Sequence, residues 1–264
     1  MVIILGLGFT GQRLARTLLR KGVQTHAAVR DIERFHELAD AGLGLSELKL
    51  NSPAIPALPK GAILIHLIPP LIEPDNTGLR TFIQEIKPKR IVYVSSTGVY
   101  GDQVDVDATT PVQPNDDRDR RRLEEERWLI RWPSLILRAA AIYGPNRGVH
   151  AAIREGKMPR SAGSGIVSRI HVDDLAAIIE AGIFSDLEGA WPVADDEPCS
   201  SGEIAAWYSR LLKMKEVSPI VNNWAIVGRR VDGTEIREKL GIELTYPSWR
   251  IGVPASLAEE AKQV

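Results

Sequence analysis

Three glycines near the start of the chain, Gly6, Gly8 and Gly11, have the spacing of a dinucleotide-binding turn and follow directly on the apolar run 2–5. In such a turn the first glycine permits a tight bend, the second lets a pyrophosphate approach the backbone, and the third lets the next helix pack closely. Amide groups and the positive end of that helix would face the phosphates. An ordinary strand–turn–helix that uses glycine only for packing is the alternative.

The residues after this turn predict a helix and then a second strand. Leu14, Ala15 and Leu18 recur with the period of a helix, and Gly22 is placed to end it. The run 23–29 has the composition of the next strand. The residues expected to hold the pyrophosphate are Gly6, Gly8, Phe9, Thr10 and Gly11.

The end of the second predicted strand indicates which dinucleotide is preferred. An acidic side chain there would bind the adenosine ribose and repel a 2′-phosphate, but Val29 is followed by Arg30. A guanidinium can pair with that phosphate. Asp31 could instead turn inward and select NAD, or it could cap the next helix beside a solvent-exposed Arg30. We predict NADP in preference to NAD, with Arg30 at the adenosine end.

The composition excludes several classes of protein. The 264 residues carry 33 Lys and Arg against 34 Asp and Glu, a net charge of -1, so no global charge attracts nucleic acid or an anionic membrane. Cys199 is the single cysteine, and the histidines lack metal-ligand spacing. No leader or membrane-spanning run is recognisable. We therefore expect a cytoplasmic protein with no metal, nucleic-acid or membrane partner.

Apolar runs alternate with helix-period segments along much of the chain. Such runs suit parallel strands that are covered by helices on both faces. The runs are 23–29, 45–50, 62–68, 90–95 and 134–140. The predicted fold class is α/β: a Rossmann doubly wound, mostly parallel sheet with a small C-terminal substrate lobe.

The sequence changes character after Gly144-Pro145, where a polar stretch rich in glycine begins. Further along, Ser200 and Glu203 have the spacing of a capping box at the start of a helix. We predict a dinucleotide-binding domain over 1–145, to which 170–196 returns. The substrate lobe would then consist of 146–169 and 197–264.

Several separated motifs occur in one order along the chain. They are GLGFTGQ at 6–12, VSSTGVYG at 94–101, LRAAAIYGP at 137–145 and IHVDDLA at 170–176, with a tail pattern from Arg230 to Pro247. With these motifs the chain resembles the extended and atypical short-chain dehydrogenase/reductases, the NAD(P)-dependent epimerase/dehydratase family. The resemblance covers nearly the whole chain.

The resemblance implies where a reaction would take place. Ser96 would present its hydroxyl to the substrate oxygen beside the nicotinamide, with Thr97 as the adjacent substitute; a strand-end serine that caps local backbone is the alternative. Leu67, Ile68 and Ser95 would form the wall of the cleft towards the nicotinamide.

The chain departs from the family at the tyrosine and lysine that normally follow. Arg118 and Arg122 stand at those positions, and an arginine offers no labile proton near neutral pH. The segment 116–126 has the pattern of a solvated helix face with Arg–Glu pairs four residues apart; binding of a substrate phosphate is the alternative. Tyr100 is the candidate replacement acid, although this position serves loop packing in relatives.

Two functions from different classes fit these residues. One is an NAD(P)-dependent oxidoreductase, epimerase or dehydratase that transfers hydride to or from a sugar nucleotide or a small carbonyl or alcohol, as the resemblance implies. The other is a non-catalytic NAD(P)-binding sensor or regulatory protein, which the missing tyrosine and lysine motivate. The expected partner is a small molecule. Trp128 or Trp132 could serve a homodimer contact or the core.

Overall fold

The computed structural model describes residues 1–52, 54–70, 77–157, 165–213 and 228–262. Its strands are β1 (Val2–Leu5), β2 (Thr25–Val29), β3 (Gly44–Glu47), β4 (Ile63–His66), β5 (Arg90–Ser96), β6 (Asp105–Val106), β7 (Ser134–Ala139), β8 (Ala141–Tyr143), β9 (Ile166–Val167), β10 (Arg169–His171), β11 (Gly189–Val193), β12 (Cys199–Ser200) and β13 (Arg230–Val231). Its α-helices are α1 (Phe9–Arg20), α2 (His36–Asp40), α3 (Thr77–Ile86), α4 (Asp117–Leu129), α5 (Val149–Arg154), α6 (Val172–Ile183), α7 (Ser201–Leu211), α8 (Thr234–Leu240) and α9 (Trp249–Glu260).

Seven strands form one sheet in the order β11-β7-β5-β4-β1-β2-β3. β1 pairs in parallel with β2 and β4, β2 pairs in parallel with β3, and β4 with β5. The strand order therefore changes direction between β1 and β4, and ligands bind at the carboxyl ends of strands at such a point. The mostly parallel α/β sheet predicted from the sequence is confirmed.

Apolar side chains account for the sheet and the helices that cover it. The four residues of β1 are all buried, as expected of a strand with helices on both faces. Leu14, Ala15 and Leu18 of α1 are 0% exposed, which confirms the predicted apolar stripe. The capping box is also confirmed: Ser200 Oγ accepts from Glu203 N at 3.1 Å, and Glu203 accepts from Ser200 N at 3.2 Å.

The chain divides into two compact units. The first contains 1–99, 114–138 and 176–191, and the second contains 100–113, 139–175 and the chain from 192 onwards. The predicted division placed 100–113 and 139–145 with the dinucleotide-binding domain, whereas they group here with the second unit. Residues 158–164 and 214–227 of the predicted lobe lie outside the described residues. No helix in the described ranges is long and apolar enough to cross a membrane.

The second unit buries a cluster of polar side chains. Arg169, 4% exposed, donates to the carbonyl oxygens of Val167 and Cys199 at 2.7 and 2.8 Å and to Ser201 Oγ at 2.9 Å. Burial raises the pKa of the neighbouring Cys199 thiol to about 11, so the thiol stays protonated at neutral pH. Among the described residues, no group of three His, Cys, Asp or Glu side chains is arranged to hold a metal ion.

Asp195 is the other buried charge of this unit. The residue is 2% exposed, and neither carboxylate oxygen has a hydrogen-bond partner within the described part of the chain. Burial raises its pKa to about 8, although the charge of Arg169 acts in the opposite direction. The folded chain therefore keeps a proton on Asp195 at pH values where the unfolded chain has released it.

This retained proton makes stability fall as pH rises. Between the unfolded pKa, about 4, and the folded value, linkage removes stability at about 1.4 kcal/mol per pH unit. Asp195→Asn cannot ionise, so the difference between its melting temperature and that of the wild-type chain should become more positive from pH 5 to pH 8. Above pH 8 the difference should stay constant. Thermal unfolding across this range measures the difference, with Asp102→Asn at an exposed carboxyl as the matched control. A constant difference at every pH would contradict the prediction.

Candidate functional site

The turn between β1 and α1 requires glycine at two of its three positions. Gly6 has φ +93°, a conformation that residues with a Cβ rarely adopt, and a Cβ there would lie 3.2 Å from Cγ1 of Ile68. A Cβ at Gly11 would lie 2.2 Å from the Gly6 carbonyl oxygen. Both glycines are therefore needed by the protein's own packing.

Gly8 differs from its two neighbours. Its φ of -74° and ψ of -158° are open to any residue, and a Cβ built on it meets no described atom within 4 Å. Gly8 is also the N-cap of α1, where no side chain from the described residues caps the helix and the first turn holds no acidic residue. Among the described residues, neither the backbone conformation nor a close contact requires glycine at this position, whereas an anion seated on the helix end would favour it.

A cavity of about 890 Å³ opens at this turn. Its wall comes from the β1–α1 turn, the end of β2 with the segment after it, and the residues after β3 and after β4. The lining residues are Gly6, Leu7, Gly8, Phe9, Gln12, Ala28, Val29, Arg30, Asp31, Arg34, Phe35, Leu48, Leu50, Leu67, Ile68 and Pro69. The volume lies within the range of ligand and cofactor sites.

Six of the predicted cofactor residues line this cavity: Gly6, Gly8, Phe9, Arg30, Leu67 and Ile68. The remaining three, Thr10, Gly11 and Ser95, lie outside its lining. Ser95 is 3% exposed, and its hydroxyl donates to Oε1 of Glu126 on α4. Arg138 on β7 holds the same carboxylate at 2.8 Å, so the Ser95 side chain belongs to an internal polar network.

The end of the cavity at β2 is basic. Arg30 and Arg34 both line it and are both exposed. The third charged residue there, Asp31, accepts a hydrogen bond from the backbone N–H of Glu33 at 3.1 Å. Its carboxylate thus closes a local turn at the start of the single helical turn Glu33–Phe35. The sequence interpretation did not include Arg34, which lies four residues beyond Arg30 and enters the cavity because that turn folds back.

The predicted catalytic residues follow β5 directly. Ser96 ends the strand, is half-buried, and accepts from the backbone N–H of Gly98 at 3.1 Å; Thr97 begins a single helical turn. Tyr100 ends that turn, is 0% exposed, and groups with the second unit. A Cβ at Gly98 would lie 2.3 Å from Oδ1 of Asp119, so a carboxylate from α4 lies against the turn that begins at Ser96. The sequence interpretation missed Asp119.

The expectation that 116–126 forms a solvated face is wrong for one side of α4. Arg122, Glu125 and Glu126 are 6%, 7% and 3% exposed. Their partners are not the residues four positions away: Arg122 lies 3.9 Å from Asp119, and Glu126 pairs with Arg138. Arg118, by contrast, is exposed as expected.

Glu125 joins three elements of the first unit. Its Oε2 accepts from Arg80 on α3 at 3.3 Å, and its Oε1 lies 3.6 Å from Nε2 of His66 at the end of β4. Burial opposes ionisation of the carboxyl, but contact with His66 and Arg80 outweighs it and holds the pKa of Glu125 below its ordinary value. Glu125 is therefore a charged group at neutral pH.

Comparison with known proteins finds relatives but no matching protein-family model. A 3-diazoavenalumate denitrifying reductase from a Streptomyces species is 30% identical over 138 residues, an alignment that spans 45% of each chain. The chain thus covers less than half of that reductase. The Escherichia coli protein YeeZ is 26% identical over 277 residues, which cover 93% of this chain and 96% of YeeZ.

Solved structures match over the full length. A conserved protein of unknown function from Silicibacter pomeroyi superposes with a TM-score of 0.81 at 27% identity, covering 98% of both chains. A Methylobacillus flagellatus protein, provisionally assigned as an NAD-dependent epimerase/dehydratase, gives 0.76 at 25% identity, again over 98% of both chains. WbmG from Bordetella bronchiseptica, in complex with NAD and UDP, gives 0.80 at 16% identity over 99% of this chain and 95% of WbmG.

These likenesses agree with the motifs in the sequence. The structural neighbours include a protein provisionally assigned as an NAD-dependent epimerase/dehydratase and an enzyme complexed with NAD and UDP, and each matches nearly the whole of this chain. The chain therefore has the fold of the NAD-dependent epimerase/dehydratases, and the resemblance read from its sequence is confirmed.

Proposed function

We propose that the chain is an NAD(P)-dependent oxidoreductase of the epimerase or dehydratase type, acting on a sugar nucleotide or a related small carbonyl or alcohol. The observation that carries the proposal is Gly8. Neither its backbone conformation nor any contact with the described residues requires glycine there, and no described side chain caps the helix end at which it lines the cavity. A diphosphate bound against the first turn of α1 would fill the space that a side chain would otherwise occupy.

The chemistry would come from a dinucleotide in that cavity and from Ser96 at the end of β5, which lies outside the cavity lining. When bound, the nicotinamide ring supplies hydride donor and acceptor chemistry. The chain's own part is to hold the diphosphate at Gly6 and Gly8, and to present the Ser96 hydroxyl to the substrate oxygen. A hydroxyl can donate to a developing alkoxide without itself ionising, so Ser96 would stabilise charge in either direction of transfer.

The substrate class is supported by the solved neighbours rather than by the cavity. WbmG is complexed with NAD and UDP, and another neighbour, MoeE5, is complexed with UDP-glucose and NAD. The resemblance also supports a homodimer. Trp128, 7% exposed, packs edge-on against Trp132 with ring centroids 5.1 Å apart, so this pair contributes to the core of the first unit.

Gly8→Asp tests the diphosphate site because it should move stability and affinity in opposite directions. Aspartate is a good N-cap, worth a few tenths of a kcal/mol over glycine, so the melting temperature should hold or rise. Its charge would repel a diphosphate, and we expect dinucleotide affinity to fall at least about 100-fold, the scale of a repelled buried charge. Isothermal titration calorimetry and thermal unfolding measure the two effects.

Two further variants separate charge from packing. Gly8→Asn keeps the cap without the charge and should lose less affinity than Gly8→Asp. Gly11→Ala places a methyl group against the Gly6 carbonyl and should lower the melting temperature, since the contact at 2.2 Å cannot be accommodated without moving α1. Wild-type affinity in Gly8→Asp would refute the assignment of the cavity.

We further propose that NADP is preferred to NAD. Arg30 and Arg34 provide two guanidinium groups at the β2 end of the cavity, and the Asp31 carboxylate that could oppose a 2′-phosphate accepts instead from the Glu33 amide. A 2′-phosphate can accept charge-assisted hydrogen bonds from both arginines.

Removing either guanidinium should weaken the binding of NADP but not that of NAD. Arg30→Ala and Arg34→Ala should each weaken NADP binding by about 10-fold or more, the value of one charge-assisted hydrogen bond, and leave NAD binding within about 2-fold. Titration of each variant with both dinucleotides gives the ratio. Arg127→Ala, at an exposed position on α4, controls for the change in net charge. Equal losses for NADP and NAD would contradict the preference.

The missing tyrosine on α4 keeps the non-catalytic sensor as a second candidate, and Tyr100, the proposed substitute, is completely buried. A turnover assay distinguishes the enzyme from the non-catalytic sensor. With a panel of UDP-sugars and aldehydes, we expect a change in nicotinamide absorbance that falls about 100-fold or more in Ser96→Ala, the cost of one oxyanion donor. Dinucleotide affinity should not change, and Ser96→Thr should recover part of the rate. Tight binding without turnover on every substrate would favour the sensor.

A further inference from the structure

His66 occupies a position between the cavity and the buried charges of α4. It is the last residue of β4, is 1% exposed, and directly precedes Leu67 and Ile68 in the cavity wall. Its ring stacks at a tilt on Tyr93, with centroids 4.8 Å apart. An imidazole enclosed in this way cannot turn without displacing its neighbours.

One ring nitrogen of His66 accepts a hydrogen bond from a residue of the cavity wall. Nδ1 accepts a hydrogen bond from the backbone N–H of Ile68 at 3.3 Å. A nitrogen that accepts carries no proton, so the neutral ring carries its proton on Nε2. The bond closes a short turn from His66 to Ile68 and thereby sets the direction of the segment that follows β4.

The other ring nitrogen faces the carboxylate of Glu125. Nε2 lies 3.6 Å from Oε1 of Glu125, and neither atom has a hydrogen-bond partner within the described residues. The second oxygen of Glu125 is held by Arg80, whose guanidinium lies over the Trp128 ring at 4.5 Å. Glu125 thus favours the ring orientation that directs Nδ1 to Ile68, because its negative charge attracts the protonated nitrogen.

The tethered segment touches both structural glycines of the diphosphate turn. Cγ1 of Ile68 lies 3.2 Å from the position of a Cβ at Gly6, and Cδ1 of Leu67 lies 3.3 Å from that of a Cβ at Gly11. A shift of Leu67 or Ile68 towards these glycines would change the shape of the turn. A shift away from them would alter the cavity wall.

We propose that His66 is a positioning residue for dinucleotide binding: oriented by Glu125, its Nδ1 holds Leu67 and Ile68 where the cavity accepts the cofactor. The proposal rests on the proposed function, since it concerns the same cavity. His171 in the second unit makes the same local bond, from Asp173 N to Nδ1 at 3.2 Å, but its Nε2 meets Ser256 Oγ at 3.1 Å. The carboxylate near His171, that of Asp173, lies 3.7 Å from Nδ1, whereas the carboxylate of Glu125 faces Nε2 of His66.

Two substitutions separate the two nitrogens. The oxygen of asparagine can take the place of Nδ1, so His66→Asn keeps an acceptor for the Ile68 amide and gives up the contact with Glu125. Glutamine reaches the position of Nε2, so His66→Gln keeps a donor towards Glu125 and leaves the Ile68 amide without its acceptor. Both lose the same aromatic packing on Tyr93 and should lower the melting temperature by similar amounts.

The affinity for the dinucleotide should distinguish His66→Asn from His66→Gln. We expect the Kd of His66→Gln for the dinucleotide to rise about 10-fold or more, the value of one hydrogen bond, and that of His66→Asn to stay within about 3-fold of the wild-type value. Glu125→Gln removes the negative charge that orients the ring, so its Kd should rise by about 3-fold or more, and an unchanged Kd would overturn the orienting role of Glu125. Calorimetric titration well below each melting temperature gives the Kd values.

The outcomes are distinct. Equal losses of affinity in His66→Asn and His66→Gln, or no loss in either, would overturn the positioning role. The proposed function would still stand if the wild-type chain binds the dinucleotide and Gly8→Asp does not. Absence of dinucleotide binding by the wild-type chain would overturn both. Rescue by asparagine but not by glutamine supports the proposal, since a purely structural role would affect both variants alike.

Discussion

The approach of α1 to the end of β1 is the constraint on which the site depends. Gly11 lies so near the Gly6 carbonyl that no side chain fits between them, and the helix begins directly beyond the sheet edge. The positive end of the helix is therefore fixed in the cavity rather than left in solvent. With α1 in this position, the space beside Gly8, where a Cβ would meet no described atom within 4 Å, leaves the helix end open. The close packing of Gly6 and Gly11 therefore places Gly8 at a helix end that is available to an anion.

Much of the fold could be predicted from the sequence because the strands are short, apolar and buried on both faces. The run 62–68 predicted β4, and 134–140 predicted β7, to within a few residues at each end. The glycine turn could be predicted because its requirements are local: a bend, a close approach and a helix end within six residues. Gly6, Gly8 and Phe9 reach the cavity wall as local sequence implies.

The polar interior of the first unit could not be predicted in the same way. Along α4 the arginines and glutamates recur four apart, which is typical of a solvated face. Yet Glu125 takes its partners from α3 and β4, and Glu126 takes its partners from β5 and β7. Those partners are distant in the sequence, and nothing in a charge pattern tells an outward pair from an inward one. Arg34 was missed for a related reason, since only the fold of the turn after β2 brings it to the cavity.

Buried charges of this kind fix geometry more than they add stability. Moving two charges out of water costs about as much as their attraction returns, whereas removing one partner leaves an uncompensated charge at a cost of roughly 3–5 kcal/mol. Glu126 and Glu125 each have an arginine from another element, so any displacement of α4 along the sheet would break two ion pairs at once. An apolar helix face could slide by a fraction of a turn with little change in buried area. The charged face of α4 instead specifies one position for the helix. Because Glu125 also contacts His66, which accepts from the Ile68 amide, the same face helps to place the residues beside the glycine turn.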